Sequence, residues 1–356
     1  MNKLQVAPAL LDWESMKKNP LQHSEIGSYS LMAFTPGISK QLEKLYCRKN
    51  LGLKVFKNPA TAKNPRWGNG VGLHRATVIQ NLCAREGLAP RVYDWVSVND
   101  RLAQVTEYIP KDPKPQDQRA RYRKLVEFMK KYDLISVAVG NSLDAGVRNW
   151  RGSKFVDFSH LQFADYDAYI KSLDTRARMR RGKLLSKAYQ PVPELGIRGS
   201  RDVPARMKNL QLDKIEWEGK TVLDIGCNFG AFSRYATDAG AIRVAGVDKK
   251  GQLTFEINNV LRYWNMDLIA GRLPGKIKLP KADIVFMMAF HNYVGGLEAA
   301  LSFVAPVACN LLIIESHGGE DKVECESVLN KFFQRVHYLG FVKDPMVRHQ
   351  WHCWKK

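Results

Sequence analysis

Acidic residues, paired cysteines and long apolar runs are what this chain has little of. Its 356 residues carry six cysteines, Cys47, Cys83, Cys227, Cys309, Cys325 and Cys353, scattered with no C-x-x-C and no paired Cys/His spacing. That excludes a zinc ribbon and a disulfide-stapled scaffold, and it reads as reduced thiols in a cytoplasmic protein. The opening residues hold no continuous apolar segment of the kind a secretory signal needs. The longest apolar stretch, residues 282–314, is broken by Asp283, His291, Asn292, Glu298 and Asn310, so it reads as buried strands flanking a helix, with no transmembrane segment. No repeat and no low-complexity tract is present.

Asp and Glu number 35 against 55 Lys and Arg, which leaves a formal charge of +20. Such a balance points to an anionic partner and says nothing of fold. By segment the excess is +11 over residues 1–165, +6 over 166–220 and +3 over 221–356. Hydrophobic residues at 45% exclude a disordered or fibrous chain, and the length suggests two domains. The segment 171–187 has seven Lys/Arg and one Asp among good helix formers, and is expected to be helical. A Pro- and Gly-containing run follows from Gln190 to Pro204. The expected organisation is an α+β domain over 1–170, a basic helical and loop junction over 171–217, and an α/β domain over 218–356.

From Thr221 onwards short apolar runs alternate with amphipathic segments. Strands are expected at residues 221–225, 242–247, 266–270, 284–288 and 311–315, as in a parallel, doubly wound sheet. Residues 337–342 and 349–354, joined through Lys343-Asp344-Pro345, are expected to form a terminal antiparallel hairpin. The strongest local signal is the stretch 222–230, in which an apolar strand carrying Asp224 enters a turn with Gly226 and Gly230 and the turn opens a helix. Glycine at those positions lets a ligand approach the backbone closely. A second strand ends in Asp248, whose carboxylate can accept hydrogen bonds from both hydroxyls of a ribose.

These residues resemble the first motif of class I S-adenosylmethionine-dependent methyltransferases, acidic-x-Gly-x-Gly-x-Gly, with Asn228 in place of the middle glycine. The resemblance spans about residues 218–356 and implies a Rossmann-like sheet closed by an antiparallel strand. It implies that Asp224 and the backbone from Gly226 through Cys227, Asn228 and Phe229 to Gly230 hold the methionine end of the cofactor, with Asp248 on the ribose. The resemblance also implies that Arg272, in the loop after the third strand, lies by the adenine, and there it is a departure, since many members carry an acidic residue at that place. It implies too that Ala289 and Phe290, just after the fourth strand, border cofactor and substrate. Methyl transfer is an in-line displacement, so alignment is the protein's main task; a hydroxyl acceptor adds the need for a base. His291 is the first expectation for that base, followed by Glu315 and His317. His349 and His352 read as structural, and no metal site is expected in this domain.

The first 170 residues resemble, fragment by fragment, a protein-kinase-like domain. Lys54 stands where a strand lysine meets nucleotide phosphates. Asp144 and Asn149 have the D-x-x-x-x-N spacing of a catalytic loop, and Asp157-Phe158 stands where D-F-G belongs. The resemblance implies a nucleotide site of Lys54, Asp144, Asn149 and Asp157, with ATP, and with magnesium at Asn149 and Asp157. The departures are Ser142-Leu143 before Asp144, Ser159 in place of glycine, and no glutamate early in the helix after Lys54.

The reading as a whole is methyl transfer from S-adenosylmethionine to an anionic acceptor, a glycan or phosphorylated small molecule, beside a kinase-like domain. Two alternatives stay open. One is methyl transfer to RNA or DNA with the basic N-terminal part binding substrate; the other is a binding or scaffold protein with a vestigial cofactor site.

Overall fold

The computed structural model describes residues 30–33, 42–48, 51–56, 71–98, 101–107, 109, 118–136, 150–151, 154–156, 158, 161–264, 266–275 and 277–355. The chain divides into two compact units, Met1–Tyr169 and Ile170–Lys356.

In the first unit β1 (Ser30–Ala33), β2 (Leu42–Arg48), β3 (Leu51–Phe56), β4 (Val92–Val98) and β5 (Arg101–Glu107) form an antiparallel sheet in the order β1-β2-β3-β5-β4. Lys54 lies on β3. Helix α1 (Val71–Arg85) follows β3, and its polar side chains complete the bonding of the next segment. Asn81 accepts from Val92 N at 2.8 Å, Thr77 Oγ1 accepts from the Trp95 indole at 2.9 Å, and Gln80 donates to Pro90 O at 2.8 Å. Buried polar groups of this kind are retained because each has a partner. Helix α2 (Gln118–Lys131) and the short strands β6 (Leu134–Ser136), β7 (Trp150–Arg151), β8 (Lys154–Phe155) and β9 (Leu161–Phe163) complete the unit, with β6 paired to β9 and β7 to β8. Asp144, Asn149 and Asp157 lie outside the described residues.

Helix α3 (Tyr166–Arg178) leads into the second unit. The helix expected over 171–187 stops at Arg178. Arg181 and Gly182 both have positive φ, 47° and 76°, and this tight turn pairs β10 (Met179–Arg180) with β11 (Lys183–Leu184). Two positive-φ residues are what a two-residue hairpin turn needs, and they defeat the high helix propensity of the flanking residues. Helix α4 (Val203–Asn209) is capped by Asp202, whose side chain accepts from Ala205 N.

The central sheet of this unit is Rossmann-like and mostly parallel. Its elements are β12 (Thr221–Ile225), α5 (Ala231–Asp238), β13 (Arg243–Asp248), α6 (Gly251–Val260), β14 (Asp267–Ala270), β15 (Ala282–Met288), α7 (Leu297–Val304), β16 (Ala308–Glu315), α8 (Lys322–Phe332), β17 (Arg335–Lys343) and β18 (Val347–Trp354). Strand order is β14-β13-β12-β15-β16-β18-β17; β18 runs antiparallel between β16 and β17, so the last strand is internal and β17 forms the edge. Period-2 alternation sends successive side chains to opposite faces. Leu223, Ile225, Val285, Met287, Leu312 and Ile314 join one core with Ala300, Leu301, Val304 and Leu329 of α7 and α8. Val222, Ile284, Phe286, Leu311 and Ile313 join a second core with Phe232 and Ala236 of α5. Leu210, Leu212 and Trp217 belong to that second core, and the Trp217 ring stacks on Phe286 with centroids 5.7 Å apart. The segment expected as a junction, 171–217, is therefore built into this unit from Ile170 onwards.

Candidate functional site

Strands β13 and β15 flank β12 on opposite sides, so the chain reverses its direction of travel through the sheet at β12. Ligands of open parallel sheets bind outside the strand ends at such a reversal. The turn between β12 and α5 lies there. Gly226 has φ 73°, and a Cβ on it would stand 2.8 Å from the Phe290 ring, so this position admits no side chain. Asn228 takes φ 51°, a conformation asparagine tolerates better than most residues, which accounts for its standing where the motif has glycine.

Every backbone N–H from Gly226 to Ala231 has an acceptor. Gly226 and Cys227 donate to Val247 O at 2.8 and 3.2 Å, and Gly230 to Cys227 O at 2.8 Å. Asn228 N donates to Asp248 Oδ2 at 3.1 Å, while Lys250 N donates to Asp248 Oδ1 at 2.7 Å. Phe229 N and Ala231 N both donate to Gln190 Oε1, at 3.1 and 3.3 Å. Beneath the turn, the buried Arg234 guanidinium donates to Phe229 O at 2.7 Å and to Asn258 Oδ1 at 3.1 Å. The Thr254 hydroxyl donates to Asn228 O.

Asp224 is only 1% exposed and accepts from Ser233 Oγ at 2.6 Å. Burial raises its pKa to about 7, against the lowering effect of the Ser233 bond and with a further rise from the Asp248 charge. Asp248 is half-buried at the end of β13, beside the Lys249-Lys250 pair. The Lys250 ammonium is pushed down in pKa by burial, which Asp248 partly offsets, and it lies 5.5 Å from the Phe229 ring centroid. Arg272 is exposed in the loop after β14. Ala289 has φ 50° at the end of β15, and Phe290 seats against Gly226.

The three expected bases separate. Glu315 is 0% exposed and takes a two-pronged ion pair from Arg206 of α4, at 2.9 and 2.7 Å, with a third bond from Gln350 at 2.8 Å. In this conformation it is the buried partner of the Arg206 guanidinium. His291 is also 0% exposed; its Nε2 meets the Glu320 oxygens at 2.9 and 2.7 Å, and its Nδ1 is enclosed with no hydrogen-bond partner among the described residues. A base must reach the acceptor's proton, so in this conformation the imidazole ties the segment after β15 to the one after β16. Glu320 also accepts from His317 N at 2.8 Å. Burial opposes ionisation of Glu320, but the His291 bond and charge prevail and hold its pKa below the usual range. The His317 side chain is half-buried, which leaves it the one of the three that is partly exposed.

Gln190, Ser233, Arg234 and Glu320 went unread in the sequence. Glu320 lies three residues beyond His317, and Gln190 stands before the Pro-containing run; neither carries a motif of its own.

No protein-family model and no curated protein matches the chain. Solved structures do. A methyltransferase dependent on S-adenosylmethionine from Aquifex aeolicus is 18% identical, covers 53% of this chain and 98% of its own, and gives a TM-score of 0.35. The magnesium protoporphyrin IX methyltransferase of Synechocystis, solved with bound S-adenosylhomocysteine, is 18% identical over 43% of this chain and 82% of its own, TM-score 0.35. The precorrin-6y C5,15-methyltransferase of Geobacter metallireducens is 17% identical over 43% of this chain and 88% of its own, TM-score 0.35.

Proposed function

We propose that residues 170–356 are an S-adenosylmethionine-dependent methyltransferase. The observation that carries this is the glycine turn at the strand reversal, with the Asp248 carboxylate bonded to the backbone of that same turn at 3.1 Å. The residues present fit the cofactor. Gly226 takes φ 73° at a place where the Phe290 ring leaves no room for a side chain, and Asn228 Oδ1 is enclosed at the turn with no hydrogen-bond partner among the described residues. Bound there, S-adenosylmethionine supplies a sulfonium methyl group that a nucleophile displaces in line. The chain's own part is alignment and exclusion of water. Asp248 would hold the ribose hydroxyls through the lone pairs its two backbone bonds leave free. Asp224 and the turn would hold the methionine end, with Ala289 and Phe290 bordering the reacting centre.

The acceptor in this proposal is anionic, a glycan or a phosphorylated small molecule, on account of the +20 charge. A nucleic-acid acceptor is the second reading. It is favoured by residues 179–187, all exposed, which hold Arg180, Arg181, Lys183 and Lys187 and no acidic residue.

Calorimetry with S-adenosylhomocysteine tests the cofactor site. The wild type should bind, and Asp248→Asn should bind at least about tenfold more weakly, since a hydrogen bond to a charged group contributes roughly 1.5–3 kcal/mol. No binding by the wild type would leave the scaffold reading. Label transferred from methyl-labelled S-adenosylmethionine to a phosphorylated glycan or to RNA and DNA then separates the two acceptors. A nucleotide site in the first unit rests on the sequence motifs alone. It predicts a rise in melting temperature with ATP and magnesium that Lys54→Ala abolishes; no rise in the wild type removes it.

A further inference from the structure

Gln190 is 3% exposed, and its position is set by the backbone on both sides of it. Ala188 N donates to Arg198 O and Ser200 N to Ala188 O, both at 2.8 Å, while Val192 N donates to Ile197 O at 2.9 Å. Ala188, Val192 and Ile197 are themselves buried. The side chain is thus delivered to the glycine turn by a pinned loop and not by a free tail.

At the turn its amide can face only one way. Phe229 N and Ala231 N are donors, so the atom between them is the oxygen, and its two lone pairs are both used. The amide nitrogen, on the same carbon, keeps two N–H donors for which the described residues supply no partner. This nitrogen is not among the enclosed atoms of the described residues, so it faces accessible space where a ligand acceptor can take the place of water.

The backbone of the turn has no N–H left for an anionic group, because each one from Gly226 to Ala231 is already bonded. An anionic group arriving here must therefore be met by side chains. Two features make the place favourable for it. The start of α5 carries the positive end of a helix dipole. Arg234 sets a buried guanidinium under Phe229, and among the described residues no carboxylate lies within ion-pair distance of it.

We propose that Gln190 is a binding residue for the carboxylate end of the ligand held in this turn: its amide oxygen caps Phe229 and Ala231 while its amide nitrogen donates to that carboxylate. The inference rests on the reading of the turn as an S-adenosylmethionine site and adds to it a residue outside the motif. It also gives the segment before the sheet a part in choosing the ligand, since a nucleoside without the amino-acid end cannot use this donor.

Two ligands and one isosteric substitution test it on the full chain. S-adenosylhomocysteine carries the carboxylate, and 5′-methylthioadenosine has the same nucleoside and thioether without it. Gln190→Glu keeps an oxygen for Phe229 N and Ala231 N, removes the donor, and sets a like charge against the carboxylate. Calorimetry should show S-adenosylhomocysteine weakened at least about tenfold in Gln190→Glu, with 5′-methylthioadenosine changed less than about twofold. Equal weakening of both ligands would show that Gln190 only braces the turn, and unchanged or tighter S-adenosylhomocysteine binding would show that the nitrogen does not meet the carboxylate. Either result overturns the proposal. A wild type that binds neither nucleoside overturns the cofactor reading instead, and this inference with it.

Discussion

Asp224 sits inside β12 with both faces of the strand covered, yet it is an acid. Burial lifts its pKa from 3.8 to about 7. The folded protein then binds a proton there that the unfolded chain releases above about pH 4, so stability falls as pH rises from 4 to 7 and is level beyond. Three pH units of such a shift amount to on the order of 4 kcal/mol. Asp224→Asn keeps an oxygen for the Ser233 hydroxyl and removes the titration. Its melting temperature should exceed that of the wild type at pH 8 and lie close to it at pH 4; an equal difference at both pH values would show that Asp224 is not the group that holds the proton. Burial also decides the bases. Position at a strand's end was legible for His291 and Glu315, but whether an atom faces the cleft depends on partners far off in sequence. Arg206 lies 109 residues from Glu315, and Glu320 lies 29 from His291. Nothing in the spacing of either pair marks it as a pair.

At the scale of elements the sheet was largely legible and the segment before it was not. Strands over 221–354 have one dominant cause, apolar side chains alternating between two covered faces, and that pattern is written locally. β12 falls on the residues expected for it, and the others differ by a few residues at their ends. The glycine turn was legible for the same reason: Gly226 and Gly230 adopt backbone angles, φ 73° and 81°, that few other residues tolerate. The stretch after Arg178 has the composition of a helix, and one tight turn at Arg181-Gly182 overrides it. The order of the last two strands needed more than a hairpin pattern, because β18 pairs with both β16 and β17 while the sequence shows only that two strands follow one another. Gln190 was hidden for the most basic reason: a cap delivered by a loop 39 residues before the turn leaves no local trace.

For the whole molecule the division at Tyr169 changes where the charge lies. Counted by compact unit, residues 1–169 hold 26 Lys and Arg against 16 Asp and Glu, and residues 170–356 hold 29 against 19. Each unit carries +10, so the basic character belongs as much to the unit with the glycine turn as to the other. The same division predicts which piece folds. A chain starting at residue 218 lacks Arg206 and loses the two-pronged buried ion pair, leaving Glu315 only the Gln350 bond and the Arg348 guanidinium 3.8 Å away. It also lacks Leu210, Leu212 and Trp217, each a buried core side chain contributing roughly 1.5–3 kcal/mol. Arg201 and Asp202, which hold Asp344 at the β17–β18 turn, would be gone as well. Together these losses match the whole stability of an ordinary domain, about 5–15 kcal/mol. A chain of residues 170–356 should melt cooperatively by circular dichroism, and one of residues 218–356 should show no cooperative transition. A cooperative melt from the shorter chain would mean that the segment 170–217 is an accessory to the sheet, and would remove the ground for placing Gln190 within the fold that makes the site.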